Sequence, residues 1–118
     1  MNDYRRRSDA VNDLYRRFAD EDYEQIKADY KALLQSPAFR RVFMSVVKRA
    51  RVFGSVSFDG ADTNAVMRTI GYRELGVSVY MEANQADGAM VLKAIEERNE
   101  VERERRERLE KATKGDEA

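Results

Sequence analysis

Cysteine and histidine are both absent from the 118 residues. Without cysteine there are no disulfides, thiolate metal sites or thiol nucleophiles, and without histidine the commonest metal ligand and the commonest general base near neutral pH are missing. No run of about 18 apolar residues, the length that spans a bilayer, occurs. The start, Met1-Asn2-Asp3-Tyr4-Arg5-Arg6-Arg7, leads into a polar amphipathic stretch where a signal peptide would carry its apolar centre. No membrane association is expected, and synthesis and residence in a cytoplasm are. An excess of either charge is lacking too: 22 basic residues balance 22 acidic ones, so bulk attraction to nucleic acid is not predicted. No P-loop, dinucleotide fingerprint or nucleophile elbow is present. The acidic step Asp20-Glu21-Asp22 offers adjacent carboxylates, but a helix start explains them better than hydrolysis or a divalent ion. The expectation is a chain that is not an enzyme and carries no cofactor or metal.

What is present is a modest apolar set in a very polar chain: 42% hydrophobic and 37% charged residues, with a mean hydropathy of -0.74. That suffices for one small core and leaves part of the chain as a solvated extension. Between Ser8 and Leu34, the residues Val11, Leu14, Tyr15, Phe18, Tyr23, Ile26, Tyr30, Leu33 and Leu34 recur at helical spacing. Asp22 with Gln25 resembles a capping box that would start a second helix, so this segment reads as either one helix or two. Ser36-Pro37 is the clearest punctuation, a hydroxyl cap followed by the residue that needs no amide in a first turn. The helix it opens runs through Phe39, Val42, Phe43, Val46, Val47 and Ala50 on one face.

A connection, 52–60, mixes β-branched and aromatic residues with Gly and Ser and reads as a loop pinned by its aromatics. Asp62 or Thr63 then caps a helix through Val66, Met67, Ile70, Leu75, Val77, Tyr80 and Met81. Its broad apolar coverage predicts the most buried element, with Gly71 and Gly76 marking close approach of another backbone. Asp87 caps a last helix that is amphipathic through Met90, Val91, Ala94 and Ile95 and turns almost wholly charged near Glu96. There Glu102 to Arg106, Glu104 to Arg108, Glu107 to Lys111 and Glu110 to Lys114 are spaced for ion pairs of about 0.2–0.5 kcal/mol each. Arg98 and Arg105 interrupt its sparse stripe, which argues against a self-sufficient coiled coil. The predicted class is all-α: a small bundle of about four helices with a charged C-terminal helical extension, divided into an N-terminal helical arm (1–35), a helical core (36–95) and a charged helix or tail (96–118).

The local charge is less even than the total. From Ser36 to Phe58 there are five basic residues, Arg40, Arg41, Lys48, Arg49 and Arg51, and no acidic one. A basic helix face can contact phosphate, although charge on the outer face of a helix is its ordinary place. These five, with Arg73, are the candidate interaction residues.

The stretch 36–99 resembles a family of small proteins encoded among the virion genes of short-tailed bacteriophages, near portal and internal ejection proteins. The resemblance lies in Pro37-Ala38-Phe39-Arg40-Arg41-Val42-Phe43, in Ser57-Phe58-Asp59-Gly60, and in Gly71-Tyr72-Arg73-Glu74-Leu75-Gly76, a Gly-x-Arg-x-x-Gly step; Ala61 stands where Asn often follows the loop glycine. It implies a structural or ejection-associated virion component, with no catalytic residues. Its expected partners are portal, tail or internal ejection proteins, with homo-oligomerisation and weak DNA contact as further expectations. It would be found in the host cytoplasm during assembly and then in the virion. The alternative is a small cytoplasmic regulator that binds nucleic acid through the basic helix 37–51.

Overall fold

The computed structural model describes the backbone of residues 2–54 and 62–117 and the side-chain surroundings of 3–54 and 62–115. These residues form three helices and no strand: α1 (Asn2–Leu33), α2 (Pro37–Arg49) and α3 (Thr63–Glu117). The all-α expectation holds, but the four-helix bundle does not. A compact chain of this length would have a radius of gyration of about 13–14 Å. Here it is 21.7 Å, with extents of 87 × 40 × 16 Å. Long stretches of α1 and α3 therefore lie outside any common core.

The N-terminal segment is one helix. It contains neither Gly nor Pro, so nothing forces a break at Asp22, and the five-residue step from Phe18 to Tyr23 in the apolar stripe falls within one continuous helix. Gln25, the presumed capping partner, instead donates to Asp29 Oδ1 one turn on, at 3.0 Å. Ser36 caps α2 as its residue type predicts, with extended backbone and its hydroxyl accepting from the Phe39 amide at 3.4 Å. At the other end, Val52 N donates to Val47 O (3.2 Å) and Arg51 N to Lys48 O (3.1 Å), while Arg51 adopts a left-handed φ of 56°. This is the 6→1 and 5→2 pair of a Schellman stop, and Val47 and Val52, which it brings together, are both buried. Asp62 caps α3 through the Asn64 amide at 3.3 Å.

Asp87 interrupts α3. Its φ and ψ of -159° and 84° are extended, and its carboxylate accepts from the Met90 amide at 3.2 Å, so it caps the second half of α3 as the sequence predicts. The two halves pass α2 in opposite senses. Rising along α2, Phe43 meets Tyr80 and Ala50 meets Gly76, whereas Arg40 meets Glu97 and Lys48 meets Glu102. α2 thus sits in the crook of a bent α3. The last third of α1 and the turn that follows it close the remaining side, with Tyr23 donating to Gln85 (3.0 Å) and Gln35 to Asp87 (3.3 Å).

The core in this crook consists of Leu34, Phe43, Met44, Val47, Val52, Ala83, Val91 and Ala94. Phe39, Phe43, Tyr80 and Phe53 form a chain of ring contacts across it at centroid separations of 5.2–6.4 Å, so the aromatic pinning of the connection is seen at Phe53. Residues 55–61, with Phe58 and the Ser57–Gly60 step, lie outside the described residues. The predicted mutual burial of α2 and α3 holds in part. Phe43 is buried and Phe39, Val46, Ile70 and Val77 are half-buried, but Val42 and Met81 are exposed. So are Met67 and Leu75, and the first half of α3 is not the most buried element. A helix apolar on several faces needs neighbours on all of them, and α3 has two.

The two helix glycines differ. A Cβ at Gly76 would overlap Ala50 Cβ and stand 3.0 Å from Val52 Cγ2, so this glycine is where α2 and α3 cross closely. Gly71 faces open space and marks no such approach. Gly76→Ala is therefore expected to lower stability by about 1–3 kcal/mol through overpacking, and Gly71→Ala to raise it by about 0.5–1 kcal/mol through helix propensity. Thermal or urea melts of the two variants check both signs.

Candidate functional site

The basic residues singled out in the sequence do not form one surface. Arg40 is buried, its Nε 2.7 Å from Glu97 Oε1 and its Nη1 donating to the Leu34 carbonyl at 2.8 Å. It bolts the turn between α1 and α2 to the second half of α3. Lys48 reaches Glu102 at 3.0 Å, and Arg98 shares the same carboxylate oxygen at 3.1 Å. These cations hold Glu102 below the usual carboxylate range, the Lys48 hydrogen bond contributing most and that of Arg98 next. The contribution is present above the ordinary carboxylate pKa and is lost as pH falls through the lowered folded value. At 37% side-chain exposure, solvent screens it to a small effect.

Arg51 occupies the left-handed position that ends α2, and its carbonyl accepts from Arg73 Nε at 3.3 Å. Arg49 lies along its own helix, donating to Ser45 O at 3.4 Å. Arg41 is exposed beside Arg40, on the rim of a depression of about 310 Å³ that also takes in Glu97, Arg98 and Arg105. The structure thus pairs Arg51 with Arg73, and ties Arg40 and Lys48 to α3. Arg41 and Arg49 are left as exposed cations on α2. A concerted phosphate face made of Arg40, Arg41, Lys48 and Arg51 is not what the fold presents, because Arg40 and Lys48 are paired with Glu97 and Glu102 of α3.

That half carries its own ion pairs, Arg98 with Glu102 and Arg103 with both Glu100 and Glu107. The pairs named from spacing, beginning at Glu102, Glu104, Glu107 and Glu110, are not among those the described residues form. Glu102 is already engaged by α2, and Arg103 draws in Glu107. Arg103 is in turn held above its usual pKa, chiefly by its hydrogen bond to Glu100, which is lowered by the same contact.

What residue spacing did not single out is apolar. Two shallow depressions of about 470 Å³ each share Val46 and Val79 and form one groove across the hub. Ile26, Leu33 and Val42 lie at one end; Ala50, Tyr72 and Leu75 lie at the other. Leu75 and Tyr72 are each 66% exposed. The signal was present in the over-broad apolar coverage of 66–81, which reads as burial until the number of neighbouring helices is known. Burial in the wall of this groove, with the nearby Glu82 carboxylate, raises the Tyr30 hydroxyl above its usual pKa.

A second apolar surface runs along the free part of α1. Every residue from 3 to 22 is exposed, including Tyr4, Val11, Leu14, Tyr15 and Phe18 of the stripe. Among the described residues no group of three or more acidic side chains is arranged to hold a metal ion, and no helix is long and apolar enough to cross a membrane. The chemistry these surfaces offer is the burial of apolar helix faces in a groove with charged rims. Comparison with family models, with curated proteins and with solved structures finds no match to this chain.

Removing Arg40 leaves the buried Leu34 carbonyl without its donor and Glu97 without its cation. Arg40→Leu is expected to cost about 2–4 kcal/mol, against at most about 1 kcal/mol for Lys48→Ala at the surface; chemical denaturation of both variants checks the ratio. Arg51→Gly, which relieves a left-handed side-chain residue, is expected to stabilise the fold by about 1 kcal/mol, read as a rise in melting temperature.

Proposed function

We propose that this chain is a non-enzymatic assembly protein of a phage virion, structural or ejection-associated, that docks near the portal or tail through apolar helix surfaces. The observation that carries the docking part is the pair of uncovered apolar surfaces, the hub groove and the free stripe of α1, on a chain of zero net charge. Apolar area on that scale is what a macromolecular partner covers. The projecting helices suit an assembly role, since each extends well beyond the hub and reaches neighbours the core cannot. The resemblance of 36–99 to small virion proteins directs the reading to portal, tail or internal ejection proteins as partners.

The nucleic-acid regulator is the weaker reading, because its phosphate face would need Arg40 and Lys48, and both are ion-paired within the chain. Mass spectrometry of purified virions, from a genome carrying this gene, is expected to recover the protein at a defined copy number. The isolated chain is expected to bind duplex DNA only weakly at physiological salt. Tight DNA binding that falls steeply with salt, together with absence from the virions, would reverse the assignment.

A further inference from the structure

We propose that the free half of α1 in one copy of this protein lies in the apolar groove of a second copy, and that the exchange is reciprocal. The inference rests on the docking reading above and names one occupant, a second copy of the chain. Its premise is that a groove and an amphipathic helix, both uncovered, are built into the same molecule. The groove is walled by the last third of α1 with α2 and the first half of α3, and opens at Val42, Tyr72 and Leu75. The helix carries Tyr4, Val11, Leu14, Tyr15 and Phe18 along one side.

The arm cannot fill the groove of its own chain. α1 is unbroken from Asn2 to Leu33 and holds neither Gly nor Pro, and its later residues Ile26, Tyr30 and Leu33 already line the groove. Folding back would require melting several turns of helix for a contact that another copy makes without cost to the helix. The free part of α1 is about 30 Å long at 1.5 Å per residue, ample for the five stripe residues to lie along a helix groove.

Area and charge agree with a second copy as occupant. Ten large apolar residues of the stripe and the groove are 47–81% exposed, which at roughly 200 Å² per fully exposed residue is about 1,000 Å² of residue surface. Made twice in a reciprocal dimer, the contact reaches or exceeds the 1,200–2,000 Å² typical of stable interfaces. Equal numbers of acidic and basic residues leave no net repulsion between copies. A contact between two different surfaces stays closed when it is exchanged around a two-fold axis, and this prevents the open fibre that a one-way contact would build.

Complementation between two surface variants of the full chain tests this. Tyr15→Glu places a charge on the stripe and Leu75→Glu places one in the groove; both positions are about two-thirds exposed, so the fold should tolerate them, and circular dichroism and melting curves check that it does. In sedimentation equilibrium the wild type is expected to dimerise. Each variant alone should lose dimer affinity by at least about tenfold, and the mixture should recover a heterodimer with one intact arm-in-groove contact. Dimerisation of the wild type without complementation would assign the interface to α1 against α1 or groove against groove and overturn the proposal. So would a wild type that is monomeric into the hundreds of micromolar, or a monomer that co-sediments with anionic lipid vesicles through its stripe. Absence from virions combined with full complementation would sink the virion reading while supporting this one.

Discussion

A straight helix of 55 residues would touch the 13-residue α2 along one line, and the fold depends on its not being straight. At Asp87 the backbone leaves helical geometry, the carboxylate takes over the capping of the next turn, and Gln35 holds the same side chain from the α1–α2 turn. The bend lets the two halves of α3 approach α2 from different sides, bringing Tyr80, Ala83, Val91 and Ala94 around Phe43 and Val47. Without it, α2 would bury one face at most, and the eight-residue core would not close.

The crook also decides what the charges do. Once the second half of α3 runs beside α2, Glu97 and Glu102 stand opposite Arg40 and Lys48, and a run of basic residues in the sequence becomes half of two inter-helix ion pairs. Arg40 is the more consequential, since it is buried and satisfies a backbone carbonyl as well as a carboxylate. A guanidinium suits this place because its planar fork serves two acceptors in fixed directions, whereas a lysine there would meet only one of them well. Glu97 and Glu102 tie the second half of α3 to the hub, while the stretch beyond carries charges of both signs.

Three helices cannot cover everything that is apolar in this chain. Packing against α2, the Gly76 crossing included, uses one side of each half of α3, and the rest of the apolar surface, from Val42 across to Leu75, faces outward. The first two-thirds of α1 adds a stripe that is exposed throughout, with no neighbour among the described residues. The crook holds the fold, and the apolar surfaces left over lie outside it.

Some local signals in this chain read true from sequence alone, while the Asp22–Gln25 capping box and the four i,i+4 pairs named for the tail do not form among the described residues. Ser36-Pro37, Asp62 and Asp87 each start or restart a helix where their residue types say so, because a cap is a contact within one turn and needs no knowledge of the rest of the molecule. The all-helical class followed from apolar spacing for the same reason. The number of free-standing helices, the bundle and the basic face did not follow. Whether Met67, Leu75 and Met81 are buried depends on how many helices pack against α3, and whether Arg40 is a surface cation depends on Glu97, which lies 57 residues away. Even the two glycines, alike in sequence, part company only in space: Gly76 lies under Ala50 and Gly71 under nothing. Periodicity tells which side of a helix is apolar, but only the tertiary structure decides whether another element arrives to cover it, because burial is a property of pairs of elements and a stripe is a property of one.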